Sequence, residues 1–85
     1  MTDIHTFIFE NIPLCFSKYI KIKGNILKGN MDKKYICFKL SNINVTNNDK
    51  TFSLKISGTE KEIEIVKYWM FRYFRYLYST KYPLE

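Results

Sequence analysis

The sequence predicts an α+β fold in which a small antiparallel sheet of about four strands packs against one C-terminal helix. Between residues 20 and 56, apolar and polar residues alternate with a period of two, which is typical of half-buried strands. After Gly58 the apolar period lengthens to about 3.6 residues, which indicates a helix. A chain of 85 residues has the size of one small domain, so we assign 1–85 to a single α+β domain.

The first strands are predicted in residues 18–28. In "KYIKIKG" the isoleucines point to one face and the lysines to the other, and Gly24-Asn25 ends this strand as a turn. A short strand over 26–28 is expected to end at a second turn, Gly29-Asn30, because Gly and Asn both tolerate turn conformations.

Three further segments continue the predicted meander of four or five strands. In residues 34–40, "KYICFKL", alternate side chains point to opposite faces. The inward set is Ile36, Phe38 and Leu40, and the outward set is Tyr35, Cys37 and Lys39. The segments "NINV" at 42–45 and "TFSLKIS" at 51–57 follow as strands, separated by the turn-forming residues "TNND".

One helix is predicted from near Thr59 to near Ser79. Thr59 suits the N-cap position, and Glu60 and Glu62 lie in the first turn, where the helix dipole favours acids. Pro83 cannot continue a helix and marks its limit. The stripe expected to face the sheet is Ile63, Val66, Met70, Tyr73, Phe74 and Leu77. The predicted core is Ile20, Ile22, Ile36, Phe38, Leu40, Phe52, Leu54, Ile56, Val66, Met70 and Phe74.

The opposite face of this helix is unusually aromatic. It carries Glu64, Tyr68, Arg72 and Arg75, flanked by Ile65, Trp69 and Tyr76. Such a face is too apolar for a purely solvated surface, so we expect it to pack on a partner. We assign partner binding to Tyr68 and Trp69, with a neighbouring protein or a splayed base as the alternatives.

The sequence offers no catalytic constellation and no metal site. His5 is the one histidine and lies near an N-terminus that we expect to be unanchored, and the acids are scattered. Cys15 and Cys37 lack a metal-ligand spacing, and we predict that both are reduced and buried. We therefore expect no enzyme, no cofactor and no small-molecule substrate. A signal peptide and a membrane span are not expected either, so we predict a soluble protein.

The charge favours an anionic partner. The chain has 14 Lys and Arg against 8 Asp and Glu, a net charge of +6. Twelve of these cations are lysine and only two are arginine, alanine is absent, and Ile, Asn, Phe and Tyr abound. These residue types have A/T-rich codons, so codon composition is an alternative explanation for part of the lysine excess.

Six lysines fall within residues 18–34, around the two Gly-Asn steps. They are Lys18, Lys21, Lys23, Lys28, Lys33 and Lys34. Flexible cations on a β-ribbon suit contact with a phosphate backbone. The alternative is a solvated sheet edge that lysines protect from aggregation.

Four short motifs occur in an order that resembles a known family. They are Ile12-Pro13, "IKIKGN" at 20–25, "ILKGN" at 26–30, and "GTEKEI" at 58–63, where a helix begins. This order resembles the N-terminal domain of the large-subunit ribosomal protein six family, whose eukaryotic cytosolic member is called protein nine. That family shows an Ile-Pro step, a strand ending in Gly, a "V-K-G-P" hairpin turn and "G-T-x-R-x-L" at the start of its helix.

The resemblance covers roughly residues 9–78 and has departures. Lys61 and Ile63 stand at the Arg and Leu positions of the last motif, and Asn30 replaces the turn proline. Family members contain two copies of this small domain, and one copy fits here. The resemblance implies a structural constituent of the large ribosomal subunit that binds rRNA and neighbouring ribosomal proteins.

On this hypothesis we assign rRNA binding to the cations of the hairpin and the helix. They are Lys21, Lys23, Lys28, Lys33, Lys34, Arg72 and Arg75. The expected location is a ribosome, mitochondrial or cytoplasmic. The alternative function is a small non-ribosomal adaptor that binds proteins through its aromatic helix face.

Overall fold

A computed structural model describes residues 3–31 and 34–80, without the side chains of residues 30, 31 and 34. Six strands, a short 3₁₀ helix and one α-helix follow one another along the chain. The elements are β1 (His5–Pro13), the 3₁₀ helix (Leu14–Lys18), β2 (Ile20–Lys23), β3 (Ile26–Met31), β4 (Lys34–Lys39), β5 (Asn42–Asn47), β6 (Thr51–Gly58) and α1 (Glu60–Thr80).

The strands form two antiparallel sheets of three strands each. Sheet A has the order β1-β6-β5, and sheet B has the order β2-β3-β4. The predicted α+β class, the antiparallel pairing and the single C-terminal helix are confirmed, whereas the single sheet of about four strands is wrong. The chain leaves sheet A after β1, builds sheet B, and returns to sheet A with β5 and β6. The helix contacts β1 and β6 of sheet A and packs its Tyr73 ring near Gly29 of sheet B, and the buried residues of both sheets form one core with it.

The N-terminal segment is a strand rather than the unanchored end expected around His5. β1 pairs along its length with β6, from His5 opposite Gly58 to Pro13 opposite Thr51. The register shifts between Phe9 and Ile12, where Asn11 adopts a φ of 58°. This bulge lets both Phe9 and Ile12 point into the core, although their spacing does not match a strand period.

Sheet B begins with the hairpin that the sequence predicts. Gly24 has a φ of 61° in the turn between β2 and β3. The second predicted turn, at Gly29-Asn30, is wrong, because both residues continue β3 and pair with Ile36 and Tyr35 of β4. A Cβ atom at Gly29 would lie 2.9 Å from the Ile36 side chain and 3.3 Å from Cε2 of Tyr73. Gly29 therefore serves close packing against the helix rather than a turn.

The helix matches its prediction within one residue at each end. The Thr59 hydroxyl accepts the backbone N–H of Glu62 at 3.2 Å, and the Glu62 carboxylate accepts the backbone N–H of Thr59 at 2.8 Å. These two bonds form a capping box. All six residues of the predicted stripe are buried. Pro83 lies outside the described residues.

The core is larger than the predicted set. Ile22, Ile36 and Phe38 are half-buried at its edge, and the other predicted members are buried. Further buried residues are Phe9, Ile12, Phe16, Leu27 and Ile43, together with Ile63, Tyr73 and Leu77 of the helical stripe. Four of these eight additions come from β1, the 3₁₀ helix and β3, which the sequence placed less well.

Two smaller findings concern the cysteines and the helix. Both thiols are free, and Cys15 is half-buried while Cys37 is exposed, so the predicted burial of Cys37 is wrong. Within residues 3–31 and 34–80, no helix is long and apolar enough to cross a bilayer.

Candidate nucleic-acid interface

The outer face of sheet B gathers lysines from all three of its strands. Lys21 of β2 lies directly opposite Lys28 of β3. One row further along, Lys23, Ile26 and Lys39 lie side by side across β2, β3 and β4. Side chains directly opposite one another on antiparallel strands have Cβ atoms about 4.5–5.5 Å apart. The strands therefore bring together four cations that are up to eighteen positions apart in sequence.

No acid accompanies these lysines in the described residues of β2, β3 and β4. Lys21, Lys23 and Lys39 are exposed, and Lys28 is half-buried. Like charges directly opposite one another destabilise a sheet, so Lys21 beside Lys28 costs stability in the isolated protein. An anion bound across both strands would remove that cost.

The outer face of sheet A has a different character. Its side chains are small and mostly neutral, and Lys55 is the one charged residue among the following eight: Thr6, Ile8, Asn42, Asn44, Thr46, Ser53, Lys55 and Ser57. Both sheets belong to the same chain, so a codon bias of the whole chain would act on both. The lysines are thus concentrated on one sheet face.

The exposed ridge of α1, which carries Tyr68, Trp69, Arg72 and Arg75, supplies a second group of candidate RNA-binding residues. The guanidinium of Arg72 lies 5.4 Å from the Tyr68 ring centroid and 5.9 Å from that of Trp69. The two rings meet edge to face, with centroids 5.3 Å apart. Arg72 is therefore held against both aromatics by cation–π contact, and Arg75 is exposed one turn further along.

A cleft of about 420 Å³ separates edge strand β4 from this side of the helix. It is lined by Tyr35, Ile36, Cys37, Phe38 and Trp69. We call the outer face of sheet B that carries Lys21, Lys23, Lys28 and Lys39 the lysine face. Cys37 pairs with Lys28 on the neighbouring strand, so the cleft borders this face directly. Its volume falls within the range of about 300–1,000 Å³ that small-ligand sites occupy.

An apolar groove of about 230 Å³ lies on the other side of the helix, against edge strand β1. It is lined by Phe7, Ile8, Phe9, Glu10, Ile12, Phe71, Phe74 and Tyr78. Phe71 packs edge to face on Phe7 and Phe9, at centroid distances of 6.0 and 5.4 Å. This groove borders sheet A and lies away from the lysine face.

The structure brings some of the predicted site residues together and separates others. Lys21, Lys23 and Lys28 share the outer face of sheet B, whereas Arg72 and Arg75 lie on the helix. Lys33 lies outside the described residues. Lys34 begins β4, and its side chain is not described.

Sequence reasoning missed Lys39 and Tyr35 as site residues. The alternation in "KYICFKL" already placed both on the outward face of their strand. The register that sets Lys39 beside Ile26 and Lys23 is a long-range pairing, and the alternation of a single strand does not contain it.

No protein-family model, curated protein or solved structure matches this chain. Function is therefore inferred from the surfaces of sheet B and α1 themselves.

Proposed function

We propose that the protein is an rRNA-binding structural constituent of a large ribosomal subunit, with the outer face of sheet B on the RNA. The supporting observation is the contrast between the two sheets. Four lysines occupy the outer face of sheet B and one occupies that of sheet A. Codon composition alone would distribute lysines over both faces, so the contrast favours a selected anion-binding surface.

The chemistry of this face suits a phosphate backbone more than a base sequence. Lysine is a flexible point charge that follows phosphates without reading bases. Duplex RNA presents phosphates and 2′-hydroxyls rather than readable major-groove edges, so a structural binder needs distributed cations. Arg72 and Arg75 add a second anchor whose planar guanidinium groups can bind phosphate through two hydrogen bonds.

The ribosomal assignment itself rests on the resemblance to the large-subunit ribosomal protein six family. Two features of the fold support this proposal. Gly24 lies in the turn after β2, and Gly58-Thr59 leads into the capped start of α1. The Gly29-Asn30 step departs from the implied turn, because it lies inside β3.

The first experiment measures RNA affinity against salt concentration for the wild type and a triple variant. Lys21, Lys23 and Lys28 are replaced by Gln, which lowers the net charge from +6 to +3. Each lost phosphate contact removes about 0.7 to 0.9 from the slope of log K against log salt, so we expect the slope to flatten by about 2 units. Affinity should fall for every RNA sequence alike.

A matched control carries Gln at Lys50, Lys55 and Lys61. These three lysines are exposed, and they lie in the β5–β6 loop, on sheet A and in the first turn of α1. The control has the same net charge of +3 as the test variant, because it also loses three of the six excess positive charges. An equal change of slope in both variants would show that only net charge matters and would reject a specific face.

Sedimentation tests the ribosomal assignment separately. We expect the chain to travel with large subunits when native extract is run on a sucrose gradient at high salt. Migration only with smaller complexes would contradict the ribosomal assignment, even if the lysine face binds RNA.

A protein-binding adaptor is the second candidate function. It is favoured by the exposed aromatics of the helix, with Tyr68 57%, Phe71 51%, Tyr78 44% and Trp69 42% exposed. Clustered aromatics of this kind are frequent anchors of protein interfaces. On this hypothesis binding would depend on the aromatics and would barely respond to salt or to the lysine substitutions.

A further inference from the structure

We propose that the cleft between β4 and α1 is a stacking site for an unpaired RNA base. The inference rests on the proposed RNA binding and specifies which form of RNA the site prefers. Single-stranded loops and bulges offer bases that stack on aromatic side chains, whereas paired bases are already stacked on one another.

The walls of the cleft are suited to a flat apolar ring. Tyr35 and Trp69 line it and are 64% and 42% exposed, and the half-buried Ile36 and Phe38 complete its apolar lining. When a flat ring enters the cleft, it covers apolar area of Tyr35 and Trp69 that water now contacts, and burying this area favours binding. Base stacking on such side chains tolerates any base, because every base has a π-face.

Trp69 is held in position before any ligand arrives. Tyr68 meets it edge to face, and the guanidinium of Arg72 lies over both rings. A positioned ring loses little conformational freedom on binding, which favours affinity. Arg72 also places a cation beside Trp69, which lines the cleft, and a guanidinium can bind phosphate.

The surrounding charge selects RNA over a protein segment as the occupant. The cleft borders Lys28 through Cys37, and the lysine face continues from there across β3 and β2. A nucleotide combines a flat base with an anionic phosphate. The aromatic cleft suits the base, and the lysines at its border suit the phosphate. An apolar peptide would leave the lysines unpaired, so the charge favours a nucleotide.

Fluorescence reports directly on this site, because Trp69 is the sole tryptophan of the chain. The protein is titrated with a short RNA of mixed sequence, either single-stranded or annealed to its complement. We expect saturable quenching of Trp69 emission by the single strand and little quenching by the duplex. Alkylation of Cys37 gives a second readout, since this exposed thiol lines the cleft and should be protected by the single strand.

Variants separate the cleft from the rest of the helix. Trp69→Ala should weaken single-strand binding by about 5- to 150-fold, the range expected for one stacked base, and leave duplex binding unchanged. Tyr35→Ala tests the opposite wall and, because Tyr35 is the more exposed residue, carries less risk to the fold. Phe71→Ala is the matched control, because Phe71 is an exposed aromatic of the same helix that lines the other groove.

The outcomes distinguish this site from the proposed function. If single strand and duplex bind equally, without quenching or Cys37 protection, the lysine face binds RNA alone and the stacking site is wrong. If neither RNA binds, the proposed function fails and the stacking site fails with it. Equal losses in Trp69→Ala and Phe71→Ala would also overturn the site. Protection of Cys37 by a protein partner and not by RNA would make the cleft a protein contact.

Discussion

The hydroxyl of Tyr73 should contribute measurably to stability, because it joins the helix to the start of sheet B. Tyr73 is fully buried, and its O–H donates to the backbone carbonyl of Tyr19 at 2.6 Å. Tyr19 immediately precedes β2, the first strand of the lysine face. The same ring packs near Gly29 of β3, so Tyr73 contacts one strand of that sheet and the residue that leads into another.

Tyr73→Phe removes this hydrogen bond and keeps the ring. Loss of one such bond costs about 1 kcal/mol, which for a domain of this size lowers Tm by about 4–8 °C. Tyr73→Ala also removes the ring and leaves a cavity beside Gly29, and we expect a cost of about 3–5 kcal/mol. Thermal and urea unfolding followed by circular dichroism measure both changes.

Tyr68→Phe is the control, because it removes the hydroxyl of an exposed tyrosine on the same helix. Tyr68 accepts a hydrogen bond from Arg72 at 3.3 Å on the surface, so its loss should cost less than about 0.5 kcal/mol. If Tyr73→Phe unfolds at the same temperature as the wild type, the bond between the helix and Tyr19 contributes nothing to stability and the reasoning is refuted.

Two further substitution sites, Thr59 and Met70, test the start and the middle of the helix. Thr59→Ala removes the acceptor of the Glu62 N–H and should cost about 1 kcal/mol, while Thr59→Ser should behave as the wild type in urea unfolding. Equal stability of the Ala and Ser variants would show that the capping box is not stabilising. Met70→Asp places a carboxylate at a position only 1% exposed, so we expect several kcal/mol of destabilisation. A cooperative melt at the wild-type temperature would contradict the assigned inward face.

The helix could be predicted closely because its signals are local. The cap at Thr59, the acids of the first turn and the apolar stripe all lie within the segment that they specify. The inward faces of β2, β4 and β6 were predictable for the same reason, since alternation within one strand fixes which side chains share a face.

The division into two sheets could not be predicted from these local signals. β1 pairs with β6, whose residues lie between 38 positions away, for Pro13 opposite Thr51, and 53 positions away, for His5 opposite Gly58. The bulge at Asn11 also disturbs the alternation that would have marked β1. The two Lys-Gly-Asn steps, at 23–25 and 28–30, show that local sequence does not decide between a turn and a strand here. Gly24-Asn25 forms a turn, whereas Gly29-Asn30 continues β3 through its pairing with Ile36 and Tyr35 of β4, which the local sequence does not contain.

The two-sheet arrangement also explains how one helix serves two different surfaces. Because α1 contacts both sheets, Trp69 on one side of it lines a cleft with β4 of sheet B, and Phe71 on the other side lines a groove with β1 of sheet A. Trp69 therefore borders the lysine face, and Phe71, two residues later, borders an apolar groove beside a nearly neutral sheet. On the proposed function, the first side faces RNA and the second side is free to pack on a neighbouring protein. In the predicted single sheet of four strands, both sides of α1 would lie over the same sheet, and their surroundings would not differ in charge in this way.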